Sequence, residues 1–253
     1  MIALACSFFI TAVLYACVGF GGGSTYNALL VIAEVDYRIL PSIALICNLL
    51  VVSGSVWQFN RAGYVDFVRI SPWVITSVPA AWVGGNLNIS EELFVGLLGG
   101  ALLASSIRML WPSKKEKYIS KNGGSSNWFI PSFVGMIIGF IAGLVGIGGG
   151  IFLAPILYLM RWDSEKRIAA TCSVFILVNS ASGLAGQMAK ISDISGVGDL
   201  LLNYWLLFPA VLVGGQIGSV ISVKRLDPRV LNHITAFLIL YVSLRLLWRW
   251  FNM

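Results

Sequence analysis

Charge is what this sequence has least of. Only 11% of its 253 residues are charged, against roughly 25% in soluble domains, too few to cover a water-facing surface. Histidine is all but missing, with His233 standing alone, and no aspartate or glutamate falls inside any long apolar run. That excludes the intramembrane carboxylate that relays protons in many pumps. It also leaves Ser24 and Cys172 without the base that nucleophilic catalysis requires, so no enzyme is expected. The four cysteines, Cys6, Cys17, Cys47 and Cys172, sit in apolar runs without C-x-x-C spacing, and no histidine is near them. Neither a metal site nor a cofactor follows from them. The net charge of +6 is scattered between apolar runs rather than gathered on one face, which argues against a nucleic-acid partner.

What is abundant is apolar length. A helix needs about 20 mostly apolar residues to cross a bilayer core, and the runs 39–60, 70–90, 168–189 and 200–223 meet that length. The shorter runs 93–107 and 230–244 reach it by taking in Arg108 and Arg245, whose long side chains snorkel. The apolar start lacks a basic n-region and an A-x-A-like site, so it reads as mature structure. Most tryptophans lie near run ends, as in an aromatic belt. The lipid bilayer is therefore the first expected partner.

An internal repeat organises the chain. Val18-Gly19-Phe20-Gly21-Gly22-Gly23 recurs as Val145-Gly146-Ile147-Gly148-Gly149-Gly150, an offset of 127. Asp36, Val51, Ser53 and Ser55 fall on Asp163, Val178, Ser180 and Ser182 at that same offset. After a three-residue insertion, Val83-Gly84-Gly85 meets Val213-Gly214-Gly215. The expected organisation is a first repeat over 1–111, with a broken helix at 2–33 and helices near 39–60, 68–88 and 92–111. A cytoplasmic linker follows at 112–127. The second repeat, 128–253, has a broken helix at 128–160 and helices near 167–189, 200–223 and 230–250.

Each broken run is too long for one span and too short for two. Irregular backbone at membrane depth survives only where it is buried in protein or lines a polar cavity. The positive-inside bias decides how the unit sits. If it enters and returns, Arg61, Arg69, Arg108, Lys114, Lys115, Lys117, Lys121, Arg161, Lys166, Arg167, Lys224, Arg225 and Arg229 share one side, with Arg38, Lys190, Arg245 and Arg249 opposite. If it crosses, the bias nearly vanishes. The fold class is thus all-α integral membrane, with two inverted-topology repeats, each a glycine-broken re-entrant helical hairpin plus three transmembrane helices. Secondary transporters often have this architecture, with substrate near the midplane at the breaks.

A helix N-terminus presents unpaired N–H groups and about half a positive charge, so two facing ones make an anion site. Gly21, Gly22, Gly23, Ser24 and Thr25 open one such end, and Gly148, Gly149 and Gly150 the other. Glycine also serves close helix packing in membranes, but a duplicated triple glycine inside overlong runs favours a site. Neutral amides and hydroxyls donate to an oxyanion without burying charge. Asn27 and Asn48, near the first break, are the leading candidates, followed by Thr171, Ser173 and Asn179. Trp57, Gln58 and Gln187 are candidate gates.

The Val-Gly-x-Gly-Gly-Gly element in both halves precedes a short helix, a charged turn with Arg38 or Arg167, and a serine-bearing helix. This pattern resembles the TauE/SafE sulfite exporter family over nearly the whole chain. Ala170-Thr171-Cys172-Ser173 matches the family's Ala-Thr-Ser stretch, whereas the first half has Ile43-Ala44-Leu45 there, so Thr171 lacks a symmetric counterpart. The resemblance implies inner-membrane transport of small sulfur-containing anions such as sulfite, sulfonates or sulfoacetate. An anion channel and a non-transporting assembly protein are the rival readings, and a homodimer is among the assemblies the sequence allows.

Overall fold

The computed structural model describes residues 1–110, 128–160, 162–191, 201–224 and 228–252. The expected linker at 112–127 lies outside the described residues. Among those residues there are ten α-helices and no strand: α1 (Ile2–Cys17), α2 (Gly23–Ile32), α3 (Leu40–Arg61), α4 (Phe67–Asn86), α5 (Glu91–Leu110), α6 (Phe129–Val145), α7 (Gly150–Leu159), α8 (Glu165–Ile191), α9 (Leu207–Lys224) and α10 (Pro228–Phe251). Both overlong runs are broken at their glycines. Gly22 and Gly149 precede α2 and α7 with φ of 91° and 83°, in the left-handed region open to glycine at no steric cost.

One boundary departs from expectation. The run starting at residue 200 becomes helical for good only at Leu207. Pro209 falls in the first turn of α9, where its missing N–H forfeits no intrahelical bond.

α3 and α8 form the centre and are long and apolar enough to span a membrane. Around them the two halves of the chain exchange helices: α4 lies along α6 and α8, α9 lies along α1 and α3, and α5 packs on α10. Glycines set these approaches. A Cβ on Gly135, Gly139 or Gly143 of α6 would collide with the carbonyls of Trp73, Ser77 or Ala81 of α4. The pairs advance together, so α6 and α4 run parallel. Gly214 and Gly218 of α9 likewise lie against Phe9 and Val13 of α1, also in parallel. The outward faces are apolar: Val68, Ile75 and Trp82 on α4, Phe133 and Ile137 on α6, and Leu212, Val213 and Ile217 on α9 are all exposed. An apolar exterior of this extent is a lipid-facing surface.

The charged turns collect at two opposite ends. Tyr37, Arg38, Asn88, Lys190, Glu91 and Arg249 line adjoining cavities at one end. At the other, Arg69 of α4 bonds Asp163 at 2.5 Å, and Lys166 lies 5.4 Å above the ring of Tyr64. Parallel to α4, α6 therefore starts at the Asp163 end, and after the break α7 returns to that same end. α1 and α2 fold back similarly from the Arg38 end, with Phe8 stacked on Tyr26 at 4.6 Å.

Candidate functional site

The two glycine breaks meet at one side chain. Asn48, fully buried on α3, donates its Nδ2 at 3.0 Å to the carbonyl of Ile147 in the second break. A Cβ on Gly21 would strike the Asn48 Oδ1, one on Gly23 the Nδ2, and one on Gly148 would lie 2.9 Å from that same nitrogen and 2.7 Å from the Ser180 Oγ. Glycine is thus required at three positions, from both breaks, for the Asn48 amide to fit.

Other crossings tie the halves together in the same way. Asn27 of α2 donates to the carbonyls of Val145 at 2.7 Å and Gly146 at 3.3 Å. Ser173 of α8 donates to the carbonyl of Gly19 at 2.6 Å, while Gln187, also on α8, caps the Gly143 carbonyl at 3.0 Å within the second half. These are the carbonyls that an interrupted helix leaves without intrahelical partners, and each half supplies caps for the other.

Capping uses the amino groups and leaves the opposite atoms over. Oδ1 of Asn27, Asn48 and Asn179, Oε1 of Gln187, the hydroxyls of Ser42, Ser55 and Ser180, and the Tyr26 hydroxyl are buried and meet no partner among the described residues. A buried polar atom without a partner costs about 1–3 kcal/mol, and in a native fold calls for an explanation such as a bound ion or water. The N-caps of α2 and α7 contribute no side-chain bond to their first turns. The site therefore offers helix N–H groups and hydroxyls as donors, with amide oxygens as acceptors. Among the described residues no carboxylate, histidine or metal-holding cluster adjoins it.

The expected residues are distributed unevenly around this centre. Gly21, Gly22, Gly23, Gly148, Gly149 and Gly150 form the breaks. Ser24, Thr25, Asn27, Asn48, Thr171, Ser173, Asn179 and Gln187 are all buried. Thr25 bonds the Tyr15 hydroxyl at 2.7 Å, and Asn179 donates back to the Phe175 carbonyl within its own helix at 2.9 Å. Gln187 lies at the carbonyls closing α6, while Gln58 is only half-buried near the end of α3. Trp57 is 66% exposed on the outer face and is not brought to the breaks. Tyr15 and Tyr26 escaped the sequence reading, although both flank the first break. Their signal was the presence of hydroxyl-bearing aromatics in mid-run rather than at a run end.

At the Asp163 end the structure is latched. Arg69 Nη1 bonds Asp163, its Nη2 reaches the Trp162 carbonyl at 3.2 Å, and its guanidinium lies 4.4 Å over the Trp162 ring. Arg167 stands 3.9 Å from the same carboxylate. Partial burial pushes the Asp163 carboxyl up, but the Ser164 N–H, the Arg69 hydrogen bond and both guanidinium charges outweigh it and hold the group below its ordinary value.

An all-helical protein with an apolar exterior and buried, broken helices is a membrane protein. The profile of the family described as sulfite exporter TauE/SafE matches residues 3–246. The chain belongs to that family. It is 32% identical over 248 residues to "Probable membrane transporter protein y4hK" of Sinorhizobium fredii, covering 98% of each chain. It is 24% identical to "Probable membrane transporter protein YjnA" of Bacillus subtilis, over 90% of this chain and 92% of that one. A third relative, "Probable membrane transporter protein MJ0441" of Methanocaldococcus jannaschii, is 26% identical over 73% of this chain and 71% of its own. No solved structure matches.

Proposed function

We propose that this protein is a multi-pass inner-membrane secondary transporter of small sulfur-containing anions, of the sulfite, sulfonate or sulfoacetate class. Its substrate binds where the two breaks meet. The observation that carries this reading is the Asn48 amide held between Gly21, Gly23 and Gly148 with its Oδ1 unpartnered. Anionic oxygens accept from the first-turn N–H groups of α2 and α7 and from the Ser180 hydroxyl. A proton on the anion, or a water it carries, donates to the Asn48 Oδ1. Neutral donors in a dry site bind a compact anion without leaving a fixed charge behind when it departs.

In this reading 1–111 and 128–253 are inverted repeats, the two hairpins are re-entrant from opposite faces, and the Arg69–Asp163 end is cytoplasmic. The exchange of α4 and α9 between halves supports the inversion, as does the gathering of Arg38, Lys190 and Arg249 at the end away from Arg69, Lys166 and Arg167. The closed latch at one end and the cavities at the other suit a carrier that opens to one side at a time.

The test is thermal unfolding of the purified protein with sulfite, methanesulfonate, sulfoacetate or chloride at equal ionic strength. The sulfur oxyanions are expected to raise the melting temperature more than chloride does. Stabilisation by cations or neutral solutes alone would overturn the anion reading.

A further inference from the structure

A cavity of about 300 Å³ opens at the end of the molecule opposite the latch, lined by Tyr37, Arg38, Asn88 and Lys190 above a floor that includes Pro41 and Leu144. That volume is at the lower edge of small-molecule sites, about 300–1,000 Å³. Among the described residues two of its lining residues are cationic and none is acidic. Lys190 is half-buried at the end of α8, and among the described residues no carboxylate pairs with it. The acids nearby, Glu34, Asp36 and Glu91, line an adjoining cavity together with Tyr37 and Arg38; there Glu91 is paired with Arg249 at 2.9 Å, and the Asp36 charge acts on Arg38.

The floor matters as much as the walls. Leu144 directly precedes Val145, whose carbonyl Asn27 caps, and a Cβ on Gly146 would lie 2.5 Å from the Pro41 Cα. Two residues of the cavity floor therefore adjoin the second glycine break. Asp36 partly offsets the Arg38 charge, so Lys190 is the cation an anion in this cavity would pair with. Lys190, half-buried in a concave, low-dielectric wall, also focuses the field and raises the local concentration of anions, with the exposed Arg38 at the rim.

We infer that this cavity is an access subsite for the transported oxyanion, with Arg38 and Lys190 as its cationic walls and Tyr37 and Asn88 as neutral hydrogen-bonding partners. It rests on the proposed anion reading and adds the route by which the anion reaches or leaves the break. The ligand is a small soluble oxyanion rather than a lipid headgroup, since the floor is Pro41 and Leu144, beside the break, and not the apolar exterior.

Radiolabelled sulfite uptake into proteoliposomes tests it, in phosphatidylcholine vesicles with and without phosphatidylglycerol. Arg38→Gln and Lys190→Gln are each expected to raise KM about tenfold, the scale of electrostatic focusing, with maximal rate held within about twofold because the break is untouched. Lys190→Arg should recover most of the loss, which guards against a folding defect. Arg61→Gln, exposed at the opposite end, should leave KM unchanged. An unchanged KM in folded Arg38→Gln and Lys190→Gln overturns the access subsite while the transporter reading stands. An equal effect of Arg61→Gln, or an effect seen only with phosphatidylglycerol, overturns it too. Absence of saturable sulfite flux and of sulfite stabilisation in the unaltered protein overturns the sulfur-anion reading itself.

Discussion

Asn48 on α3, in the first half of the chain, donates its side-chain amide at 3.0 Å to the Ile147 carbonyl, in the break of the second half, 99 residues away. That one bond holds both breaks in register, and it makes the glycines around it a sharp probe of the site.

Gly21→Ala is the first such probe. Gly21 has no positive φ, so alanine is not strained there, and the Cβ would meet only side-chain atoms, those of Asn48 and Val52. The expected result is a folded protein, destabilised by at most about 1–3 kcal/mol from overpacking, that no longer gains melting temperature from sulfite because the Asn48 amide is displaced. Normal sulfite stabilisation in this variant would sink the site assignment. Valine at Gly22 or Gly149 discriminates less well: φ is 91° and 83° there, and a β-branched side chain at such angles damages the fold itself.

Packing glycines should behave differently. A Cβ on Gly139 would strike the Ser77 backbone carbonyl, so α4 and α6 must separate to admit it. Gly139→Ala is expected to lower stability by about 1–3 kcal/mol or more, measured as detergent thermal unfolding, without selectively removing the sulfite response. At Gly100 a Cβ meets nothing within 4 Å. Gly100→Ala should therefore stabilise α5 by about 0.5–1 kcal/mol through backbone entropy.

The latch makes stability acid-sensitive. Since the folded-state pKa of Asp163 lies below its ordinary value, its contribution is fully present above about pH 4 and is lost as the pH falls through the folded value. Melting curves of the unaltered protein and Asp163→Asn should run apart at neutral pH and converge as the pH falls through the folded value. A gap that stays constant across this range would show that the carboxylate's charge does not stabilise the latch.

The proposed orientation puts the α3–α4 turn in the cytoplasm and the α4–α5 turn outside. Ala62 and Ser90 are exposed in these turns. In a cysteine-free background, an impermeant thiol reagent added to intact cells should label Ser90→Cys and spare Ala62→Cys. The reverse pattern inverts the orientation, and equal labelling removes the two-sided arrangement.

Much of this was legible in the residues because it depends on local composition. Runs of about 20 apolar residues read as membrane-length helices, and a triple glycine inside an overlong run marks where one is interrupted. The helix boundaries fell close to those runs, apart from the late start of α9 at Leu207. Asn27 and Asn48, singled out for their nearness to a break, do lie against the break carbonyls Val145 and Ile147.

Only the tertiary structure decided what each polar side chain does. The caps run from Asn27 to Val145, from Asn48 to Ile147 and from Ser173 to Gly19, spanning 118, 99 and 154 residues. Helical periodicity encodes which face a residue takes on its own helix, but not which distant carbonyl that face will meet. For the same reason Trp57 turned outward while Gln187 turned in. Arg38 and Lys190, two scattered topology signals in the sequence, came to share one cavity because α3 and α8 pack together and the turn before α3 lies at the end where α8 finishes.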